Sequence, residues 1–389
     1  MTTITGGAST MSRQPGRRPA LPGAENTISV SGKGCQVQLL SGKTLIDMPM
    51  GQHGPIFGYN SGVIHSRVHT ALINGTATSY PPSIERGLAQ LLGEVFPDVE
   101  QVRFARNGSD VCAAAVRLAR AITGREHIAA FGYHGFASEF VHAPQNRGVP
   151  QYTQNLVRWF EWGDVSMLRM AARDAACVIL EVPPTDDTAE TAKFLYAARQ
   201  IANEAGALFI LDEIVTGFRL GLRGAAGYYD VRPDLYCWGK ALANGFGLSA
   251  LGGRAELMQE FQNGVFFSGT FFDDPIAISA AYATVQRMKQ REKDIFPQLW
   301  EMGGRLKNHL NSQFAAQNVK ARCFGQAPRT VLQFDNPEQH VAFNLAALEE
   351  GVLFDRPNFI TMPYTEKIHF RVEAAVERAL SSRAFLAVA

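Results

Sequence analysis

From about residue 85 onward, helical stretches alternate with compact apolar runs, which predicts an α/β chain with a mainly parallel sheet sandwiched by helices. Two further observations agree with this. The helical stretches carry their own start and stop signals, and each apolar run ends in something polar or conformationally permissive. In chain order, residues 83–97 (SIERGLAQLLGEVFP) have helical spacing and stop at Pro97. Residues 109–124 (SDVCAAAVRLARAITG) are alanine-rich, with Ser109 or Asp110 placed to cap the start and Gly124 to end the helix. Strands are expected in HIAAFGY (127–133), ACVILEV (176–182), ALFILDE (207–213) and DLYCWG (234–239), and AKFLYAARQIANEAG (192–206) supplies a helix between two of them. Ligands of such sheets sit at the carboxyl ends of the strands. There this chain carries Tyr133 with His134 and Gly135, then Glu181, Asp212 with Glu213, and Gly239 with Lys240.

With 389 residues the chain suits one large domain plus a smaller one, or two of similar size. Hydrophobic residues are 46% and charged residues 19%, with 37 basic against 36 acidic side chains, so no global field draws nucleic acid or an anionic membrane. Small molecules or protein surfaces are the expected partners. The cysteines at 35, 112, 177, 237 and 323 are scattered and form no CxxC pair, which favours a reducing compartment over a disulfide framework or thiolate zinc site. No apolar run reaches the roughly 18–20 residues of a membrane span. Residues 1–25 mix glycine, proline, serine and arginine without apolar periodicity and lack the apolar core of a signal peptide. They are expected to form a flexible arm, and the default address is cytoplasmic.

Five positions carry potential chemistry. Lys240 follows an apolar, aromatic stretch where desolvation disfavours an ammonium; either it opens a helix and snorkels to water, or its amine is kept for covalent chemistry. Asp212 ends a buried strand and needs a partner, either as a cap or ion pair with Arg219, or as the carboxylate facing a protonated pyridine nitrogen. Gly108 and Ser109 begin a long helix, as an ordinary cap or as an anion site of backbone N–H groups, hydroxyl and helix dipole. Tyr133, beside two glycines, is either a core tyrosine or a ring able to lie flat on a planar cofactor. His65 and His69 are four apart and could share a helix face, but no third metal ligand is apparent, and no metal is expected.

Taken together and in this order, the stretches RFARNGSDVCAAAVRLARAITGR, YHGF, NRGVP, VILEVP, LDEIVTGFRLGLRGAAGYYDVRPDLYCWGKALANG and FFSGTFF resemble the class III aminotransferases of pyridoxal phosphate fold type I. The resemblance is nearest to the branch of glutamate-1-semialdehyde aminomutases and sugar aminotransferases, and it spans about residues 80–275. It implies pyridoxal 5'-phosphate as cofactor, with Lys240 as the Schiff-base lysine and proton shuttle and Asp212 paired with the pyridine nitrogen. It also implies Tyr133 and Ile214 on the two faces of the ring, Gly108 and Ser109 on the phosphate, and Glu181 lining the pocket. His134 joins the cofactor-binding set, while Glu213 reads as structural. Thr270 matches a residue that in this family reaches the phosphate across a dimer interface, so a homodimer with shared active sites is implied.

The chain also departs from the family pattern. Val111 and Cys112 follow Asp110 where the motif usually continues with alanine, and a valine separates Glu181 from its proline. After about residue 300 no arginine motif matches the usual binder of a substrate α-carboxylate. The resulting expectation is a large domain at 52–276, a small domain built from 26–51 and 277–389, and the arm at 1–25. The expected reaction is amino transfer between an amino donor and a carbonyl acceptor, possible on a sugar or carrier. The alternatives are 1,2-amino migration, decarboxylation or elimination on an amino acid attached to a larger molecule, and a non-catalytic binder.

Overall fold

The computed structural model describes residues 4–76 and 78–388. It divides into two compact units, one built from the residues up to Ser61 together with those from Pro297 onward, the other from Gly62–Phe296. Along the chain, β1 (Ser29–Lys33), β2 (Gln36–Leu39) and β3 (Thr44–Asp47) form an antiparallel meander in the smaller unit. The larger unit supplies β4 (Gln101–Ala105), β5 (His127–Phe131), β6 (Val157–Trp159), β7 (Ala175–Glu181), β8 (Leu208–Glu213), β9 (Leu235–Trp238) and β10 (Ser249–Gly253). The smaller unit resumes with β11 (Ala321–Phe324), β12 (Arg329–Phe334), β13 (Val352–Leu353) and β14 (Asn358–Phe359). There β13 extends the meander parallel to β3, and β11, β12 and β14 form a second antiparallel sheet.

The seven strands of the larger unit run in the order β4-β10-β9-β8-β7-β5-β6. All neighbours are parallel except β10, which is antiparallel to both β4 and β9. The four strands expected from the sequence are the four contiguous parallel ones at the centre of this sheet. Their apolar runs are continuous because both faces are covered, as the full burial of β9 and of β7 up to Leu180 illustrates. The helices that cover them start where side chains satisfy their free N–H groups. Asp187 accepts from Glu190 N–H at 2.8 Å ahead of helix Thr188–Ala205, which Gly206 ends in a left-handed conformation. Helix Gly108–Thr123 begins one residue earlier than expected. Its cap is Asn107, and Asp110 reaches back to accept the Asn107 N–H at 2.8 Å; Gly124 closes it at φ 67°.

β4, β6 and β10 escape the sequence pattern. The strand β10, SALGG, carries glycines that admit Trp238 of β9: a Cβ on Gly252 would lie 2.6 Å from that indole. Trp238 is itself fully buried against Phe96 and stacked on Tyr236 at 5.2 Å between ring centres. Helix Pro275–Gln290 packs on helices Gly62–Ile73 and Ser83–Val95, so it belongs to the larger unit although the sequence boundary at 276 assigns it to the smaller. The described part of the expected arm is tied down: Arg18 donates to the Gly51 carbonyl at 3.0 Å and pairs with Asp355 at 3.1 Å, and Leu21 packs on the Leu39, Leu45 and Leu348 cluster. These are isolated anchors without periodicity, which pattern reading cannot detect. Among the described residues no helix is long and apolar enough to cross a membrane.

Gly252→Ala should therefore lower the urea unfolding midpoint by about 1–3 kcal/mol equivalent, because the Trp238 ring has no space to yield. An unchanged midpoint and unchanged tryptophan fluorescence would mean that the indole pocket is looser than its geometry indicates.

Candidate active site

Parallel pairing aligns the ends of three central strands. Asp212, next to last in β8, lies opposite Glu181 of β7 and Cys237 of β9. Asp212 is 2% exposed, so its carboxylate depends on protein donors. Its Oδ1 accepts the Ile214 N–H at 2.9 Å. Its Oδ2 faces His134 Nδ1 at 2.7 Å and the Cys112 thiol at 3.4 Å. The charge partner in the structure is thus His134, where the sequence suggested Arg219. The other ring nitrogen of His134 lies 3.0 Å from the Phe131 carbonyl. A carboxylate and a carbonyl both only accept, so both ring nitrogens must carry hydrogens and the imidazole is a cation. Burial opposes that charge, but the hydrogen bond and charge of Asp212, with help from Cys112, outweigh it and push the His134 pKa up to about 10.

Lys240 stands immediately beyond β9. Gly239 is extended, Lys240 turns into the left-handed region at φ 45°, and one 3-10 turn, Lys240–Ala243, follows. Ala241, Leu242 and Ala243 are fully buried while Lys240 is half-buried, so this lysine does not open a surface helix. A non-glycine residue at positive φ carries backbone strain, and such strain persists only where the surroundings over-determine it. Ile214 links this turn to the helix start. A Cβ added to Gly239 or to Gly108 would lie 3.0 Å from the Ile214 Cδ1 in either case, so Ile214 packs closely on both glycines.

The loop after β5 supplies the remaining wall. Glu181 Oε1 accepts the Tyr133 N–H at 3.1 Å, and the Phe136 N–H donates to Ser109 Oγ at 3.2 Å. Gly132 and Gly135 adopt φ of 102° and 104°; a side chain on the latter would strike Ser109 Oγ at 2.0 Å. Tyr133 is left 70% exposed, as a free ring face. The structure therefore gathers Gly108, Ser109, Tyr133, His134, Glu181, Asp212, Ile214 and Lys240 around the ends of β5, β7, β8 and β9. Thr270 stands apart: it is solvent-exposed in the single chain, and among the described residues no hydrogen bond joins it to this set. His134 differs from its expected place, since its side chain is fully buried behind Asp212 and meets the site only through that carboxylate.

Glu213 is structural, as expected. Its carboxylate accepts the Ala225 and Ala226 N–H groups at 3.0 and 2.7 Å, and burial pushes its pKa up to about 7 despite those bonds. His65 and His69 lie exposed on helix Gly62–Ile73. Among the described residues the grouped candidate metal ligands are instead Cys112, His134 and Asp212, which are already bonded to one another. Cys112 is the residue that sequence reasoning did not assign; its only signal was the departure from the helix-start motif.

The His134 cation makes the stability of the cofactor-free protein depend on pH. Its folded pKa is raised, so its contribution is fully present below about pH 6.5 and is lost as pH rises to about 10. Each unit in that window should cost at most about 1.4 kcal/mol. Urea midpoints measured across it should fall in the wild type and flatten in His134→Gln; equal slopes would mean that the ring is neutral.

Comparison with known proteins places this geometry. The family model for aminotransferase class III matches residues 137–365. Glutamate-1-semialdehyde 2,1-aminomutase 1 of Macrococcus caseolyticus (strain JCSC5402) is 30% identical over 349 residues, covering 83% of this chain and 79% of that protein. The Francisella philomiragia glutamate-1-semialdehyde 2,1-aminomutase is 33% identical over 308 residues, covering 72% and 69%. Among solved structures, the pyridoxal phosphate form of the FumI protein of Sphingopyxis sp. MTA144 superposes with a TM-score of 0.85 at 24% identity, covering 93% of this chain and 90% of that one. A glutamate-1-semialdehyde-aminomutase from Pseudomonas aeruginosa PAO1 gives 0.83 at 18% identity, covering 97% and 91%. The structural likenesses establish the fold as type I, and with the family match and the sequence relatives they show that the chain belongs to the class III aminotransferases, the pyridoxal phosphate family its motifs resemble.

Proposed function

We propose that the chain transfers an amino group between an amino donor and a carbonyl acceptor, using pyridoxal phosphate held at the ends of β5, β7, β8 and β9. The observation that carries this reading is the convergence on Ile214. Its Cδ1 lies 3.0 Å from where a Cβ would stand on Gly108 at the helix start or on Gly239 before Lys240, while its N–H holds Asp212. The helix start, the buried carboxylate and the backbone that leads into Lys240 are therefore neighbours. The donor set fits the cofactor. The helix start and Ser109 suit a phosphate, Tyr133 and Ile214 can flank a flat ring, and Asp212 Oδ1, with one donor from the protein, keeps acceptor capacity for a ring N–H. When bound, the cofactor supplies an electron sink that acidifies bonds at the substrate carbon bearing the amine.

The protein's own residues have distinct tasks in this reading. Asp212, fixed by its neighbours, holds the positive charge of the ring nitrogen. Lys240 supplies the amine that anchors the cofactor and, once released, carries a proton away from the substrate Cα. Its left-handed turn, at φ 45°, sets where that side chain leaves the backbone beyond β9. Glu181 holds the Tyr133 backbone and thereby the ring that covers one cofactor face. A second reading, 1,2-amino migration, is supported by the aminomutase names of the relatives at 30–33% identity. A half-reaction screen separates the two. Candidate amines added to the cofactor-loaded protein should convert its visible band to the pyridoxamine form with release of a carbonyl product. Migration would return an isomer of the amine added, and release of CO2 or ammonia would point to decarboxylation or elimination. The cysteines are buried and, among the described residues, none is in a disulfide, which suits the reducing, cytoplasmic address expected from the sequence.

Reduction with borohydride should fix the cofactor on Lys240, as read by peptide mapping, and Lys240→Ala should retain cofactor through phosphate and ring contacts while losing turnover. An adduct mapped to a different lysine would remove the basis of this assignment.

We also propose a homodimer with shared sites, in which Thr270 completes the phosphate site of the partner. The exposure of Thr270 in one chain supports this, together with that of Phe266 and Phe271 on the same loop, at 73% and 59%. If Thr270 acts in trans, mixing inactive Lys240→Ala and Thr270→Ala subunits creates heterodimers with one intact site and one doubly impaired. Statistical exchange should then restore about a quarter of wild-type activity. Proven exchange without any recovery, or an active monomer, would sink the shared site.

A further inference from the structure

Cys112 opens the second turn of helix Gly108–Thr123, at the point where the chain leaves the family motif, and is fully buried with its Sγ 3.4 Å from Asp212 Oδ2. A carboxylate oxygen accepts about two donors. Oδ2 already takes the His134 N–H at 2.7 Å, so the thiol fills its second place. Among the described residues Oδ1 takes only the Ile214 N–H, at 2.9 Å, and keeps one place open. The two donors on Oδ2 add to the Ile214 N–H on Oδ1 in holding the carboxylate against rotation. We infer that Cys112 is a positioning residue: with His134 it saturates Oδ2, so that Asp212 presents Oδ1 alone to a cationic ring nitrogen. The inference rests on the cofactor reading above.

The thiol remains protonated and able to donate. Its contact with the Cys237 thiol, its burial and the Asp212 charge all push its pKa well above the usual thiol range. Cys237 provides a natural contrast. It lies beside Cys112 in the same core and is equally buried, but its thiol approaches the Val111 carbonyl at 3.7 Å and not the carboxylate.

The contact can be read without cofactor. In the infrared spectrum of the cofactor-free protein, the wild-type minus Cys112→Ser difference isolates the Cys112 S–H band. It should be broadened and displaced below the position of an unbonded thiol. In the loaded enzyme Cys112→Ala should lower kcat about 3- to 10-fold, the range expected for one lost donor, with KM for the amino donor within about 2-fold. Cys112→Ser should restore kcat, since a hydroxyl can donate to the same oxygen. Cys177→Ala removes an equal volume from the same core, at a thiol that makes no hydrogen bond to Asp212, and should leave kcat unchanged. An S–H band at the unbonded position, or serine and alanine variants with the same kcat as each other, would overturn the positioning role. Failure of the wild type to attach cofactor at Lys240 would instead overturn the cofactor reading, and the infrared band would still decide the Cys112 contact.

Discussion

A carboxylate buried at the end of a central strand must be balanced, and the arrangement around Asp212 follows from that need. An ionised carboxylate taken out of water costs several kcal/mol unless donors replace the lost hydration. Asp212 receives three: the Ile214 N–H from its own chain two residues on, the His134 ring from the loop after β5, and the Cys112 thiol from the helix at β4. These donors come from three separate segments. The carboxylate therefore ties the helix start, the β5 loop and the end of β8 together, and loss of any donor would loosen more than one of them.

His134 shows how the charge is settled. It is held between a carboxylate and a carbonyl, so its protonation is dictated by its acceptors. The pair is neutral overall, which is what an interior tolerates. Single breakage of a buried pair leaves an uncompensated charge and is costly, about 3–5 kcal/mol, even where the intact pair adds little. The ion pair thus constrains geometry more than it stabilises the fold.

Close approach is the second constraint. Gly108, Gly132, Gly135 and Gly239 each stand where a Cβ would press on a functional neighbour: Ile214, Glu181, Ser109 and Ile214 again. Gly252 does the same on the far side of β9, where it admits Trp238. Behind the strained turn at Lys240 lies this rigid aromatic core of Phe96, Tyr236 and Trp238, and close packing of that kind transmits little slack to the turn in front.

Much of this was legible in the residues alone. Continuous apolar runs marked β5, β7, β8 and β9, because strands covered on both faces need no polar positions, and local signals such as Gly124 and Gly206 marked helix ends. The motif around Asp212 and Lys240 carried the family. What was not legible depended on partners distant in sequence. β10 is a strand because Trp238 fills the space its glycines leave, and helix Pro275–Gln290 belongs to the larger unit because of the helices it packs on. Arg18 and Leu21 anchor a segment that lacks any periodic pattern. The sequence by itself determined which residues stand at the strand ends, since period and chain order are local properties. Only the tertiary structure decided that His134 and Cys112 share one oxygen of Asp212, because which groups meet is set by long-range packing of segments 22 to 100 residues apart.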